Sequence, residues 1–119
     1  MACAALPEGC HDSVVSRLYL GRGSPQGEVG DEAWNRFVAD TVSVRFPAGF
    51  TVFDARGQWR ADDGQVQREA TQVLEIVHDG APAAQARIAA IAAEYRRRFA
   101  QEAVLVTHGP VRSCGVSNR

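Results

Sequence analysis

The apolar positions of the chain change period several times, and each change marks an element. From Ser16 to Arg22, Leu18 and Leu20 alternate with Arg17 and Tyr19, the two-residue period of a half-buried strand. Gly21, Gly23, Pro25 and Gly27 then break the pattern. Trp34, Phe37, Val38, Thr41 and Val42 recur at spacings of three and four, which places them on one helix face. Asp31 is the expected N-cap, with Glu32 in the first turn, where negative charge suits the helix dipole. Pro47 and Gly49 stop that helix. Phe50 to Arg56 reads as a second strand, and 57–64 as the turn of a long hairpin. Val66 to His78 is the third strand. Pro82 opens a second helix, where its missing N–H costs nothing, and Ile88, Ile91, Ala92, Tyr95 and Phe99 give that helix its apolar face. Ala103 to Thr107 is a fourth strand, closed by Gly109-Pro110.

The order strand, helix, strand, strand, helix, strand predicts an α+β fold. Its form is the ferredoxin-like βαββαβ arrangement, a four-stranded antiparallel sheet with both helices on one face. Residues 1–15 form a loose N-terminal arm, 16–112 a single domain and 113–119 a tail. The second sheet face has no cover from its own helices. Alternation assigns Leu18, Leu20, Thr51, Phe53, Leu74 and Ile76 to the helix side. It leaves Arg17, Tyr19, Gly21, Val52, Asp54, Val73, Glu75 and Val77 on the open side. Such a face suits a small-molecule pocket or a plain dimer interface. A chain of 119 residues buries a modest core, so a homodimer is the expected assembly.

Composition narrows the classes. A hydrophobic fraction of 45% and a charged fraction of 23% are ordinary for a globular domain. The net charge of -1 argues against a general nucleic-acid binder. The run Arg96-Arg97-Arg98 falls in a helical pattern and reads first as a solvated face, second as an anion patch. Cys3, Cys10 and Cys114 lack the spacing of a zinc site, so no metal is expected, and no cofactor motif is present. A Cys3–Cys10 disulfide is open, with reduced thiols as the default. No apolar run approaches the roughly 20 residues of a membrane span, and the chain reads as cytoplasmic. The alternative is a cell-envelope lipoprotein, because Ala2-Cys3 followed by small residues resembles the end of a lipoprotein signal.

The candidate chemistry gathers around the glycine-rich loop and the hairpin. Asp54 and Glu75 are the carboxylates expected to face inward on the open side. Desolvated, either becomes a general acid or base; paired with Arg17 or Arg22, it is a structural ion pair. Tyr19 is placed to hydrogen-bond a substrate oxygen or simply to pack. Arg22 has the planar fork that clamps a carboxylate or phosphate. Trp59, between Gln58 and Arg60, is either an aromatic wall or a plug at the end of the sheet. Glu69 is placed to orient Arg60 or Trp59. His78 and His108 lie near strand ends, where exposed surface is the default.

Tyr19-x-Gly21-Arg22, Val29 before Trp34-x-x-Phe37, Arg45-Phe46-Pro47-x-Gly49-x-Thr51-Val52-x-Asp54 and Gly57-Gln58-Trp59 together resemble one family. It is the bacterial domain of unknown function 3574 family. Glu69, Val73-Leu74, Tyr95-x-x-x-Phe99 and Gln101-Glu102 extend the resemblance over roughly Arg17 to Arg112. Members are often exported or lipid-anchored, and this chain departs in lacking such a leader. The resemblance strengthens the fold and the position of the site, but it names no reaction. The expected function is a cofactor-independent enzyme of isomerase, cyclase or lyase type, with Tyr19, Asp54 and Glu75 as catalytic groups. Arg22, Gln58, Trp59 and Glu69 are its expected substrate-binding residues. The alternatives are a non-catalytic ligand-binding or accessory domain and a purely structural dimerisation module.

Overall fold

The structure, a computed structural model, describes residues 8–115. Its elements are β1 (Cys10–Gly21), α1 (Asp31–Phe37), β2 (Thr51–Arg60), β3 (Val66–His78), α2 (Pro82–Arg98) and β4 (Leu105–Cys114). Helix α1 runs without a break into one π-helical turn, Val38–Val42, in which Ser43 N–H donates to the Val38 carbonyl at 2.9 Å. The strands form one antiparallel sheet in the order β2-β3-β1-β4, as the ferredoxin-like arrangement requires.

The core lies between the helices and one sheet face. Leu18, Leu20, Leu74 and Ile76 are fully buried there, against Phe37, Val42, Ile88, Ile91 and Tyr95. Trp34, Phe37, Tyr95 and Phe99 pack as an aromatic cluster, mostly edge to face. Arg98 joins the two helical segments. It pairs with Asp40 at 2.9 Å, also reaches Glu94, and sits 5.5 Å from the Phe37 ring centroid. Arg97 also pairs with Glu94, and Arg96 donates to the Glu102 carbonyl. The arginine run therefore serves internal partners, and the anion-patch alternative falls away.

Five expectations are corrected. Strand β1 begins at Cys10 and β4 runs to Cys114, so residues 10–15 are sheet rather than loose arm, as are 113–114 of the expected tail. Gly109-Pro110 does not end β4. It is an edge strand, which tolerates a proline whose missing N–H faces away from the partner. Strand β2 continues to Arg60, so Gln58 and Trp59 are strand residues, and the turn is confined to 61–65. Cys10 and Cys114 form a disulfide that joins the outer ends of β1 and β4, in place of reduced thiols. Cys3, and with it the proposed lipid attachment, lies outside the described residues. Among the described residues no helix is long and apolar enough to cross a membrane.

The fifth correction concerns the faces of β2. Val52 pairs with Leu74, and Phe53 with Val73. Directly paired residues share a face, so Val52 and Asp54 point to the helix side, while Thr51 and Phe53 point to the open side. Val52 accordingly packs on the core, and Phe53 is 47% exposed. The assignments for β1 and β3 stand, with Leu18, Leu20, Leu74 and Ile76 inward.

Candidate functional site

The open face is best described as rows of side chains running across the strands. One row is Thr107, Arg17, Glu75 and Thr51; the next is Leu105, Tyr19, Val73 and Phe53. Below it come Gly21, Thr71 and Ala55, then Glu69 and Gly57, then Gln67 and Trp59. Two rows in the middle thus carry only short side chains apart from Glu69. By register, Gly21, Thr71, Ala55 and Gly57 lie between Tyr19, Val73 and Phe53 on one side and Glu69 and Trp59 on the other, a low stretch of the face, or trough, into which the Glu69 carboxylate reaches over Gly21. Val73 and Glu69 are four residues apart, about 13–14 Å at the ~3.4 Å rise of a strand.

Glycine makes the floor possible. A Cβ at Gly23 would stand 2.6 Å from Glu69 Oε2, and one at Gly57 would stand 2.7 Å from Thr71 Oγ1. Gly21 has the same conflict with the Glu69 carboxylate. The carboxylate therefore lies flat on the backbone of the glycine loop. Gly23 N–H donates to its Oε2 at 2.7 Å, and the Trp59 indole N–H donates to its Oε1 at 3.1 Å. Among the described residues no arginine or histidine forms an ion pair with Glu69.

The loop is braced from the helix side. Tyr95, whose hydroxyl burial pushes far up from its ordinary ionisation range, donates to the Gly21 carbonyl at 2.6 Å. Gln101 donates to the Gly23 carbonyl at 2.8 Å, and Arg22 N–H donates to the Ala70 carbonyl at 2.9 Å. Beyond the carboxylate a shallow cleft of about 310 Å³ opens between the 23–28 loop and Arg68–Ala70. A larger depression, about 410 Å³ near Ser13 and Val111, contains none of the candidate residues.

The structure brings Tyr19, Trp59, Glu69 and Glu75 to the same face. Glu75 is held by Arg17 at 2.9 Å, one row beyond the Tyr19 wall. Asp54 is separated from them: it is exposed on the other face, where its partner in the register is Gln72. Gln58 lies on that face too and accepts from Arg68 Nε at 2.9 Å. Arg22 does not reach the trough. Its Nε donates to the Val29 carbonyl and its Nη2 to Asp31, which ties the glycine loop to the start of α1. Asp31 is the first helical residue rather than the expected N-cap, a position taken by Gly30, whose carbonyl accepts from Trp34 N–H.

Sequence reasoning missed Thr71 and Gly57 as floor and Tyr95 and Gln101 as braces. It also missed a hydrogen-bonded chain elsewhere, centred on the buried Ser16. Ser16 Oγ, on the helix side, lies 2.7 Å from both His78 Nε2 and His108 Nδ1. Only cross-strand register unites those three residues, and no sequence spacing announces it.

No curated protein matches the sequence. Among solved structures the chain is similar to a phage SAM lyase in complex with S-methyl-5'-thioadenosine. The TM-score is 0.65 and the identity 17%, over 97% of each chain. The apo state of a phage SAM lyase matches with a TM-score of 0.63 and 17% identity, over 99% of this chain and 100% of the other. At that identity the likeness speaks for the α+β fold. Over residues 15–114 the sequence matches a family described as a protein of unknown function, and the chain belongs to that family, DUF3574.

Proposed function

We propose that this protein is a cofactor-independent enzyme of the lyase, cyclase or isomerase kind, acting on a small molecule in the trough of the open sheet face. One observation carries the reading. Glu69 is a carboxylate held by two N–H donors, without a cationic partner, beside a floor of minimal side chains. A positioned carboxylate of that kind suits a general base, a role worth about 10²–10⁴ in rate. Tyr19 on the opposite wall is the group to hydrogen-bond a substrate oxygen, and Trp59 and Phe53 supply apolar walls. The base role passes from Asp54, on the wrong face, and from Glu75, engaged by Arg17, to Glu69. The fold likeness to phage SAM lyase makes SAM the first substrate to try and lyase chemistry the first reaction. The working unit is a homodimer, its ligand is a small molecule rather than nucleic acid, and the disulfide supports an oxidising compartment over the cytoplasm.

The test incubates the protein with SAM and with related small molecules and follows S-methyl-5'-thioadenosine by chromatography. Turnover is expected in the wild type. Glu69→Gln is expected to lower kcat about 100-fold or more, with a much smaller change in KM. Equal turnover by Glu69→Gln defeats the reading. Ligand binding without any turnover makes the trough the site of a non-catalytic binding domain instead.

A further inference from the structure

Among the described residues seven large hydrophobic side chains are exposed, and five of them (Phe53, Trp59, Val77, Leu105 and Val111) share the open sheet face. A monomer gains nothing from collecting them on one side, and a large exposed apolar patch marks an interaction site. We infer that this face is closed by the same face of a second copy, and that the second copy roofs the trough. The inference rests on the proposed use of the trough only for its functional consequence; the interface itself stands on the pattern below.

The charges select the geometry. Arg17 on β1 and Glu75 on β3 are cross-strand neighbours that straddle the midline of a sheet ordered β2-β3-β1-β4. A two-fold axis parallel to the strands along that midline lays β1 over the partner's β3 and β4 over the partner's β2. Arg17 then faces the partner's Glu75, and Glu75 faces the partner's Arg17. An axis across the strands at the same row would stack like charges, which is unfavourable. Sheets packed in this aligned manner stand about 10 Å apart.

The same axis settles the remaining rows. Leu105, 63% exposed, falls over the partner's Phe53, and Val15 over the partner's Val77, so three of the five exposed apolar groups meet an apolar partner. Tyr19 meets the partner's Val73. Over the Gly21, Thr71 and Ala55 rows only the Glu69 carboxylate of each copy rises, so a cavity edged by both carboxylates remains there while the flanking rows close. The trough, open in one copy, becomes an enclosed site with a carboxylate at its mouth. Four strands ~4.8 Å apart and eight residues of ~3.4 Å give a footprint of roughly 500 Å² per copy, about 1,000 Å² in total, the threshold of a specific interface.

The experiment is sedimentation of the full chain at about 1–100 μM. The wild type is expected to be a dimer. Arg17→Glu alone and Glu75→Arg alone are each expected to sediment as monomers, because each lays like charges against the partner. An equimolar mixture of the two variants is expected to recover a dimer, since every crossed pair is then opposite in sign. Leu105→Asp, outside the monomer's core, is expected to give a folded monomer by circular dichroism and keeps the test valid if a charge variant misfolds. A monomeric or trimeric wild type, a dimer indifferent to Leu105→Asp, or folded charge variants that fail to recover on mixing overturns the interface. A dimer with these properties that turns over no substrate leaves the interface standing and removes the enzymatic reading; an active monomer does the reverse.

Discussion

Gly21, Gly23 and Glu69 form one unit. The backbone gives up side chains so that a carboxylate can lie against it, and the two N–H donors return the interaction. Substituting Gly21→Ala keeps an ordinary backbone conformation but pushes the Glu69 carboxylate away. The expected result is a loss of about 1 kcal/mol, the net worth of a hydrogen bond or two. The Trp59 indole N–H resonance should shift, while that of Trp34, 7% exposed in the core, stays in place. An unmoved Trp59 resonance would show that the contact does not hold the carboxylate. Tyr19 and Trp59 were legible as candidates because they stand two positions from Gly21 and Gly57, and Glu69 because it lies near the hairpin. The hairpin allowed Glu69 to reach Arg60 or Trp59, and only the pairing of β2 with β3 decided for Trp59.

The Ser16 chain ties three strands to the turn before α2. Gly80 N–H donates to His78 Nδ1 at 3.0 Å, so the proton of that ring sits on Nε2 and is donated to Ser16. The Ser16 hydroxyl then donates to His108 Nδ1. Burial pushes the His78 pKa below 6.5, with Asp79 opposing the shift and His108 adding to it. A depressed histidine is neutral in the fold and binds its proton more readily when unfolded. Its contribution is therefore full above about pH 6.5 and is lost as pH falls through the lower folded value. Protonation also places a second hydrogen against Gly80 N–H. The melting temperature should drop on acidification below about pH 6.5, and His78→Gln should flatten that dependence. Equal pH profiles for the two proteins would remove the chain as the cause. The strand residues were readable one by one, but the shared partner was not, because 62 and 92 positions separate Ser16 from the two histidines.

The Cys10–Cys114 bridge spans 104 positions and encloses nearly the whole described domain. In the chain-entropy account a loop of about 100 residues gives up to about 4.7 kcal/mol, drawn from the freedom of the unfolded chain. Reduction, or paired Cys10→Ser and Cys114→Ser substitution, should lower the free energy of unfolding by a few kcal/mol on that account without abolishing the sheet. Its hydrophobic core lies toward the other end of β1, at Leu18 and Leu20. An oxidised protein no more stable than the reduced one would refute this. The cross-link could not be chosen from three cysteines, because the pairing depends on β1 and β4 running ten residues side by side.

Local patterning was enough to determine the element order, the helix-facing residues of β1 and β3, and the βαββαβ topology, because each rests on periods of two or 3.6 residues that neighbouring side chains write into the chain. The tertiary structure alone decided the direction of β2. Thr51-Val52-Phe53-Asp54 has an apolar residue on either face, and only pairing with β3 sends Phe53 outward and Asp54 away from the trough. The disulfide, the Ser16 chain and the Trp59–Glu69 contact were decided at the same level, for the same reason. Each joins strands whose register is set by distant partners.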